Sequence, residues 1–154
     1  RVMAASRAAD AGYKLAFHFD PIIVHDNWER EYEEVVQLLF SQVDSKMIVW
    51  ISMGALRYLP QLKRIGERRF AGSPIFSEEF VCGLDGKMRY FRTQREEMYR
   101  HLYGLLRERV AADTCIYLCM ESDEIWEKVF GYAPHTRGGL SAMLDRAALS
   151  AMTR

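Results

Sequence analysis

The sequence predicts an α/β fold with a parallel sheet and a late β-hairpin. Three observations predict it. Short strand-like apolar runs alternate with longer segments of helical periodicity, the order that βα units produce. Two of those runs, Met47–Ser52 and Thr114–Met120, are apolar on both faces, as strands covered by helices must be. A single turn signal, Leu84-Asp85-Gly86, lies late in the chain between segments able to pair with each other.

Residues 1–11 read as a helix stopped by Gly12 in the C′ position. Leu15–Asp20 reads as a strand ending at Pro21, which cannot donate to a ladder. The next helix is expected from Asp26 or Asn27, with Asp26-x-x-Glu29 as a capping box and Trp28, Tyr32, Val35, Val36 and Leu39 on one face. After the strand Met47–Ser52, Pro60 suits the first turn of a helix whose core residues would be Leu62, Ile65 and Phe70. Residues 75–91 form the hairpin region. Thr93-x-x-Glu96 reads as a capping box opening a helix to about Val110, with Met98, Leu102, Leu105 and Leu106 inward. Beyond the strand Thr114–Met120, Ser122 caps a short helix ending at Phe130 and Gly131. Residues 1–131 form the folded unit, and 132–154 are expected to be a tail of weak helical character.

A complete eightfold barrel needs about 250 residues. The 154 residues here suffice for about half of one, and the first helix has no strand before it. The chain begins at Arg1 in mid-pattern, so a fragment of a longer protein is expected.

Composition removes several function classes. The 21 basic and 21 acidic residues cancel, so any case for nucleic acid must rest on local clusters. No apolar run approaches the roughly 20 residues of a membrane helix, and residues 1–12 lack the apolar core of a signal peptide. The three cysteines, Cys82, Cys115 and Cys119, are an odd number and suggest a reducing, cytoplasmic setting. Cys115 and Cys119, on one strand, would lie roughly 13 Å apart, too far for a disulfide; two small buried strand residues is the plain reading of them. There is no Walker sequence, Gly-x-Gly-x-x-Gly or Gly-x-Ser-x-Gly.

In parallel α/β folds, functional groups gather at the C-terminal ends of strands. Here those ends carry Asp20 with His25, Ser52 to Gly54, and Glu121 with Ser122. His18 and Asp20 share a strand face. With His25 they would suit a divalent metal, or they form a hydrogen-bonded polar lining without one. Two basic clusters stand out. One holds Arg57, Lys63, Arg64, Arg68 and Arg69; the other holds Lys87, Arg89, Arg92 and Arg95, interleaved with Tyr90 and Phe91. Basic residues with aromatics on a hairpin suit phosphate contact and base stacking or wedging; a solvated surface is the alternative.

Three stretches together resemble the spore photoproduct lyase family of radical S-adenosylmethionine (SAM) proteins. They are Ala11-Gly-Tyr followed by Phe17-x-x-x-Pro21-Ile22 and His25-x-x-Trp28-Glu29-x-x-Tyr32; the hairpin Leu84–Phe91 with Gly86-Lys87; and Ile116-Tyr-Leu-Cys-Met-Glu-Ser122. The resemblance covers about residues 1–131. It implies the C-terminal half of a partial (β/α)6 TIM-like barrel. It also implies DNA repair by radical reversal of a thymine-dimer-type lesion, with SAM and a [4Fe–4S] cluster as cofactors. The cluster motif Cys-x-x-x-Cys-x-x-Cys is not among these residues, since Cys115-x-x-x-Cys119 lacks a third cysteine at position 122. No catalytic residue or metal ligand is therefore assigned here, and an N-terminal half of the same protein is the expected partner. His18, Asp20, Pro21, His25, Ser52 and Gly54 would line the SAM and substrate pocket. Lys87, Arg89, Tyr90, Arg92 and Arg95 would contact lesion-containing DNA.

Two positions depart from the family pattern. Asp20 stands where the spore enzymes have a small apolar residue before the proline. Cys82-Gly83 stands where they have an Arg-Tyr pair before the hairpin Gly-Lys, and Arg89-Tyr90 follows the turn instead. A metal-dependent hydrolase using His18, Asp20 and His25, or a non-catalytic half-barrel that binds nucleic acid or a partner through an open sheet edge, are the other readings.

Overall fold

The computed structural model describes residues 1–153. In chain order it contains α1 (Val2–Asp10), β1 (Leu15–Ile22), α2 (Trp28–Gln42), β2 (Ile48–Ala55), β3 (Arg57–Tyr58), α3 (Pro60–Arg69), β4 (Phe80–Cys82), β5 (Met88–Tyr90), α4 (Arg92–Arg107), β6 (Cys115–Leu118), α5 (Asp123–Phe130) and α6 (Gly139–Met152). β1, β2 and β6 form a parallel sheet in the order β1-β2-β6. β3, β5 and β4 form a small antiparallel sheet in the order β3-β5-β4. The expected mixed α/β architecture with a parallel sheet is therefore present.

One face of the parallel sheet carries Phe17, Ile51 and Ile116 in one row and Phe19, Met53 and Leu118 in the next. It packs into the main core with Val36 and Leu39 of α2, Met98, Leu102 and Leu106 of α4, and Ile125 and Trp126 of α5. Ile51, Met53, Met98, Leu102 and Leu106 are wholly inaccessible. Burying each contributes about 1.5–3 kcal/mol, the main force holding the helices to this face. The opposite face carries polar groups and is described below.

Several local expectations are corrected. β1 runs past Pro21 to Ile22, with an irregularity between Phe19 and Ile22 that lets the ladder resume at Ala55. α2 begins at Trp28, and its cap position is Asn27 in the left-handed region (φ 60°), which Asn tolerates; no side chain caps it. α4 begins at Arg92, so Thr93 already lies inside the first turn and cannot cap, while Glu96 pairs with Arg100. Val35 is exposed.

Leu62, Ile65 and Phe70 are exposed rather than buried. α3 leans on the molecule through Gly66 instead, where a Cβ would meet the Phe76 ring at 2.4 Å. The expected tail is a short 3-10 turn (Pro134–Arg137) and the 14-residue helix α6. Ala147 and Ala151 of α6 pack on Val49 of β2. Small residues at these positions let the helix approach the sheet closely, which a reading based on large apolar residues misses. No helix among the described residues is long and apolar enough to cross a membrane.

Candidate functional site at the strand ends

The face of the parallel sheet away from the main core ends in two polar rows. In the first, His18, Ser52 and Tyr117 lie in register across β1, β2 and β6. His18 Nδ1 and Ser52 Oγ are 2.5 Å apart, and Tyr117 hydrogen-bonds Ser52. Ser52 is buried, while His18 is exposed. Burial raises the Tyr117 hydroxyl pKa, so the phenol stays neutral and able to donate.

The second row, one step nearer the strand ends, holds Asp20, Gly54 and Cys119. The Asp20 carboxylate lies over Gly54, where a Cβ would sit 2.7 Å from it. Glycine is the residue that permits this approach. Arg57 of β3 closes the row. It donates to Asp20 Oδ2 at 3.3 Å, to the Cys119 carbonyl at 3.4 Å and to Cys119 Sγ at 3.4 Å. Burial works against the guanidinium's charge, but Asp20 and Cys119 outweigh it and its pKa is raised.

Beneath the rim, three tyrosine hydroxyls receive backbone N–H groups. Tyr32 accepts from Ile23 at 3.0 Å, Tyr90 from Val24 at 3.1 Å and Tyr99 from Ala55 at 2.8 Å. These bonds satisfy backbone N–H groups at and just beyond the ends of β1 and β2 and fix the segments that follow. Tyr99 in turn donates to Glu121 at 2.8 Å, and Glu121 accepts from Arg95 at 2.9 and 3.4 Å. Arg95 also donates to the Tyr90 carbonyl at 2.5 Å. Both side chains of this ion pair are more than nine-tenths buried. One connected network thus joins β2, α4, the hairpin strand β5 and the loop after β6. Burial pushes the Tyr90 hydroxyl up to about 12 and raises that of Tyr99 further.

The hairpin β4–β5 projects beside this rim. Its turn is closed by Gly83 donating to the Lys87 carbonyl at 2.8 Å, with Gly86 at φ 74°. Leu84 stands at the tip, fully exposed. A groove of about 440 Å³ runs from the hairpin, past Arg89 and Arg92, to Glu121 and Ser122.

The structure sorts the expected site residues. His18, Asp20, Ser52 and Gly54 come together in the two rows. Pro21 follows on the exposed end of β1. His25 does not join them: its Nδ1 lies 3.0 Å from the Asp26 carbonyl and its Nε2 3.8 Å from Glu31. Among the described residues no three His, Cys, Asp or Glu side chains are grouped to hold a metal. The hydrolase reading thus loses its ligand set. The three cysteines are free: Cys82 is on the hairpin, Cys115 opens β6 and Cys119 follows it. They do not fit an iron–sulfur cluster, which needs converging thiolates.

The basic hairpin is corrected in part. Tyr90 is wholly inaccessible, stacked on Phe80 with centroids 4.8 Å apart, and Arg95 is buried on Glu121. Arg89 is engaged by Asp85, and Arg92 pairs with Glu124 at 2.6 Å. Lys87 has no ion-pair partner among the described residues. Tyr99 was not singled out from the sequence; Leu84 stood there only in the turn signal and hairpin stretch, Arg57 only in the first basic cluster and Tyr117 only within the stretch Ile116–Ser122.

A model of the family described as spore photoproduct lyase matches residues 1–117. A spore photoproduct lyase from Geobacillus sp. (strain Y412MC61) is 30% identical over 117 residues, 72% of this chain and 34% of that protein. Among solved structures, a spore photoproduct lyase cysteine-to-alanine mutant with dinucleoside spore photoproduct matches with a TM-score of 0.64 and 26% identity, over 77% of this chain and 36% of the other. A double mutant with bound AdoMet and dinucleoside spore photoproduct matches with the same values. The chain spans about a third of the length of these relatives. With more than two thirds of its residues matched by the family model, the chain belongs to the spore photoproduct lyase family.

Proposed function

We propose that this chain is the substrate-facing C-terminal part of a DNA-repair lyase that reverts a thymine-dimer-type lesion by radical chemistry. In this reading residues 1–131 are the second half of a partial (β/α)6 barrel. The polar rows at the strand ends line its mouth, and the iron–sulfur cluster is held by residues outside this chain. The observation that carries the proposal is the placement of the hairpin. An exposed apolar tip, Leu84, and Lys87, which forms no salt bridge among the described residues, stand beside a polar strand-end rim in a chain of this family.

An apolar side chain at a hairpin tip suits a wedge between base steps, and a lysine behind it suits a phosphate. This replaces the expectation of a Tyr90 wedge, since that ring is committed to the core. The Asp20–Arg57 pair sets a carboxylate beside a guanidinium, a pairing that complements the ammonium and carboxylate of the methionyl part of SAM. When bound, SAM would supply the radical precursor. What this chain does is orient it, hold His18 and Tyr117 on Ser52, and keep the rim rigid through the tyrosine bonds.

The test is fluorescence anisotropy of the full chain on a short duplex, with and without a dinucleotide photoproduct, across a salt series. Lys87→Glu should weaken binding to both duplexes and lower the log–log salt slope by about 1. Leu84→Gly should remove the preference for the damaged duplex and leave the slope alone. An unchanged slope in the first variant together with an unchanged preference in the second overturns the hairpin assignment.

A further inference from the structure

A second site lies away from the rim, at the opposite end of β6. A cavity of about 470 Å³ opens between α4, the start of β6, α5 and α6, with Thr114 and Cys115 in its wall. Three arginines from three separate elements line it: Arg107 at the end of α4, Arg137 in the 3-10 turn and Arg146 in α6. The acidic residue in the lining is Asp113, to which Ser150 donates a hydrogen bond. Three cations against one anion leave a surplus of two positive charges, in a chain whose formal net charge is zero.

Two of these guanidiniums are held in place by backbone carbonyls and the third by an aromatic ring. Arg107 donates to the carbonyls of Thr114 and Val110 at 3.2 and 3.3 Å and to that of Ala111. Arg146 donates to the Arg137 carbonyl at 2.9 Å. Arg137 lies over the Tyr132 ring, 3.6 Å from its centroid. Among the described residues none of the three forms a salt bridge. All three arginines share the lining of this one cavity with Cys115; burial pushes the Cys115 thiol up to about 11, against the downward pull of Arg146, Arg107 and Arg137. Fixed, unneutralised guanidiniums around a cavity of ligand size are what recognition of a phosphate group requires.

We infer that this cavity is an anion site for a phosphate group, built jointly by the end of the family-matched residues and the segment that follows them, and separate from the strand-end rim. Its arginines give the charge and Tyr132 fixes the position of Arg137. The phosphate can come from a free phosphomonoester or from the end of a nucleic acid strand; the chemistry recognised is the same. The inference does not depend on the lesion-reversal reading.

The experiment is calorimetric titration of the full chain with inorganic phosphate and with adenosine 5′-monophosphate, in chloride buffer at constant ionic strength. Saturable binding is expected. Arg137→Ala and Arg146→Ala should each raise Kd roughly tenfold or more, and Arg137→Lys, which keeps the charge, should lose clearly less. Arg107 is left intact because it also holds the end of α4. Arg30→Ala on α2, outside the cavity lining, should leave phosphate affinity unchanged. Competition by a 5′-phosphorylated oligonucleotide would identify a strand end as the source; competition by the mononucleotide alone would identify a free phosphoester. Absence of saturable binding, or binding that survives both alanine substitutions, overturns the assignment.

Discussion

Replacing Glu121 by alanine should cost this protein a large share of its stability. The carboxylate accepts from Arg95 and Tyr99 with both side chains of the ion pair over nine-tenths buried. Removing it strands a guanidinium in the interior, where breaking such a pair costs about 3–5 kcal/mol. Against a typical total of about 5–15 kcal/mol that is a severe loss. With a urea m-value of about 2 kcal/mol per M, the midpoint should fall by about 1.5–2.5 M. The assay is equilibrium urea unfolding followed by circular dichroism. Arg95→Met combined with Glu121→Met is the discriminating control. It removes both charges and should recover most of the loss, because a buried pair and an apolar replacement of similar volume are nearly equal in stability. A single-mutant loss below about 1 kcal/mol would show that water reaches the pair and refute the reasoning. A double mutant as unstable as the single would show that the contact geometry, not the stranded charge, carries the cost.

Two further outcomes follow from the rim. Gly54→Ala places a methyl 2.7 Å from the Asp20 carboxylate, so Asp20 must leave Arg57; a loss of about 1–3 kcal/mol is expected in thermal melts, and Gly54→Ala with Asp20→Ala should be milder than the single change. The Tyr90 hydroxyl is raised from 10 to about 12, so its contribution is complete below pH 10 and is lost as pH rises from 10 through 12. The urea midpoint should therefore fall across that window, and Tyr90→Phe should flatten the fall; a variant that keeps the whole pH dependence would move its origin to other tyrosines.

The elements that were legible in the sequence are those written in periodicity. Met47–Ile51 and Cys115–Met120 are near-continuous apolar runs of strand length, and each supplies a strand of the parallel sheet. α4 shows Met98, Leu102 and Leu106 at helical spacing, and all three are wholly inaccessible. The polar pair His18 and Asp20 was legible because a period of two puts them on one face. What was not legible depends on long-range pairing. Nothing local to Arg95 says that Glu121, 26 residues away, takes its charge into the core. Nothing local to Tyr90 distinguishes a ring stacked on Phe80 from one offered to a base. α3 misled for the opposite reason: Leu62 and Ile65 have helical spacing, but Gly66 under Phe76 sets the contact face. α6 was hidden because it packs through alanines, which carry no strong apolar signal.

The hairpin and the rim are one mechanical unit, and β3 is the joint. Its backbone pairs Arg57 with Arg89 and Tyr58 with Met88 of β5. The Arg57 side chain reaches the other way, to Asp20 and Cys119 at the ends of β1 and β6. Arg95 makes a second link, from the Tyr90 carbonyl in β5 to Glu121 beside the rim. A load on the tip at Leu84 is thus carried through two arginines to the strand ends, while the turn itself is held by the bonds among Gly83, Asp85, Gly86 and Lys87 and by the Arg89–Asp85 pair. Strain from a bound duplex would be absorbed in the turn first and reach Asp20 only through Arg57. Arg57→Lys therefore tests the joint: a lysine can keep the Asp20 contact but not the three-way fork to Asp20, the Cys119 carbonyl and Cys119 Sγ. Duplex affinity should change little. The effect of lesion-bearing DNA on the nuclear magnetic resonance shifts of Asp20 and Gly54 should shrink; shifts as large as in the unsubstituted chain would mean that the hairpin acts on the rim by another route.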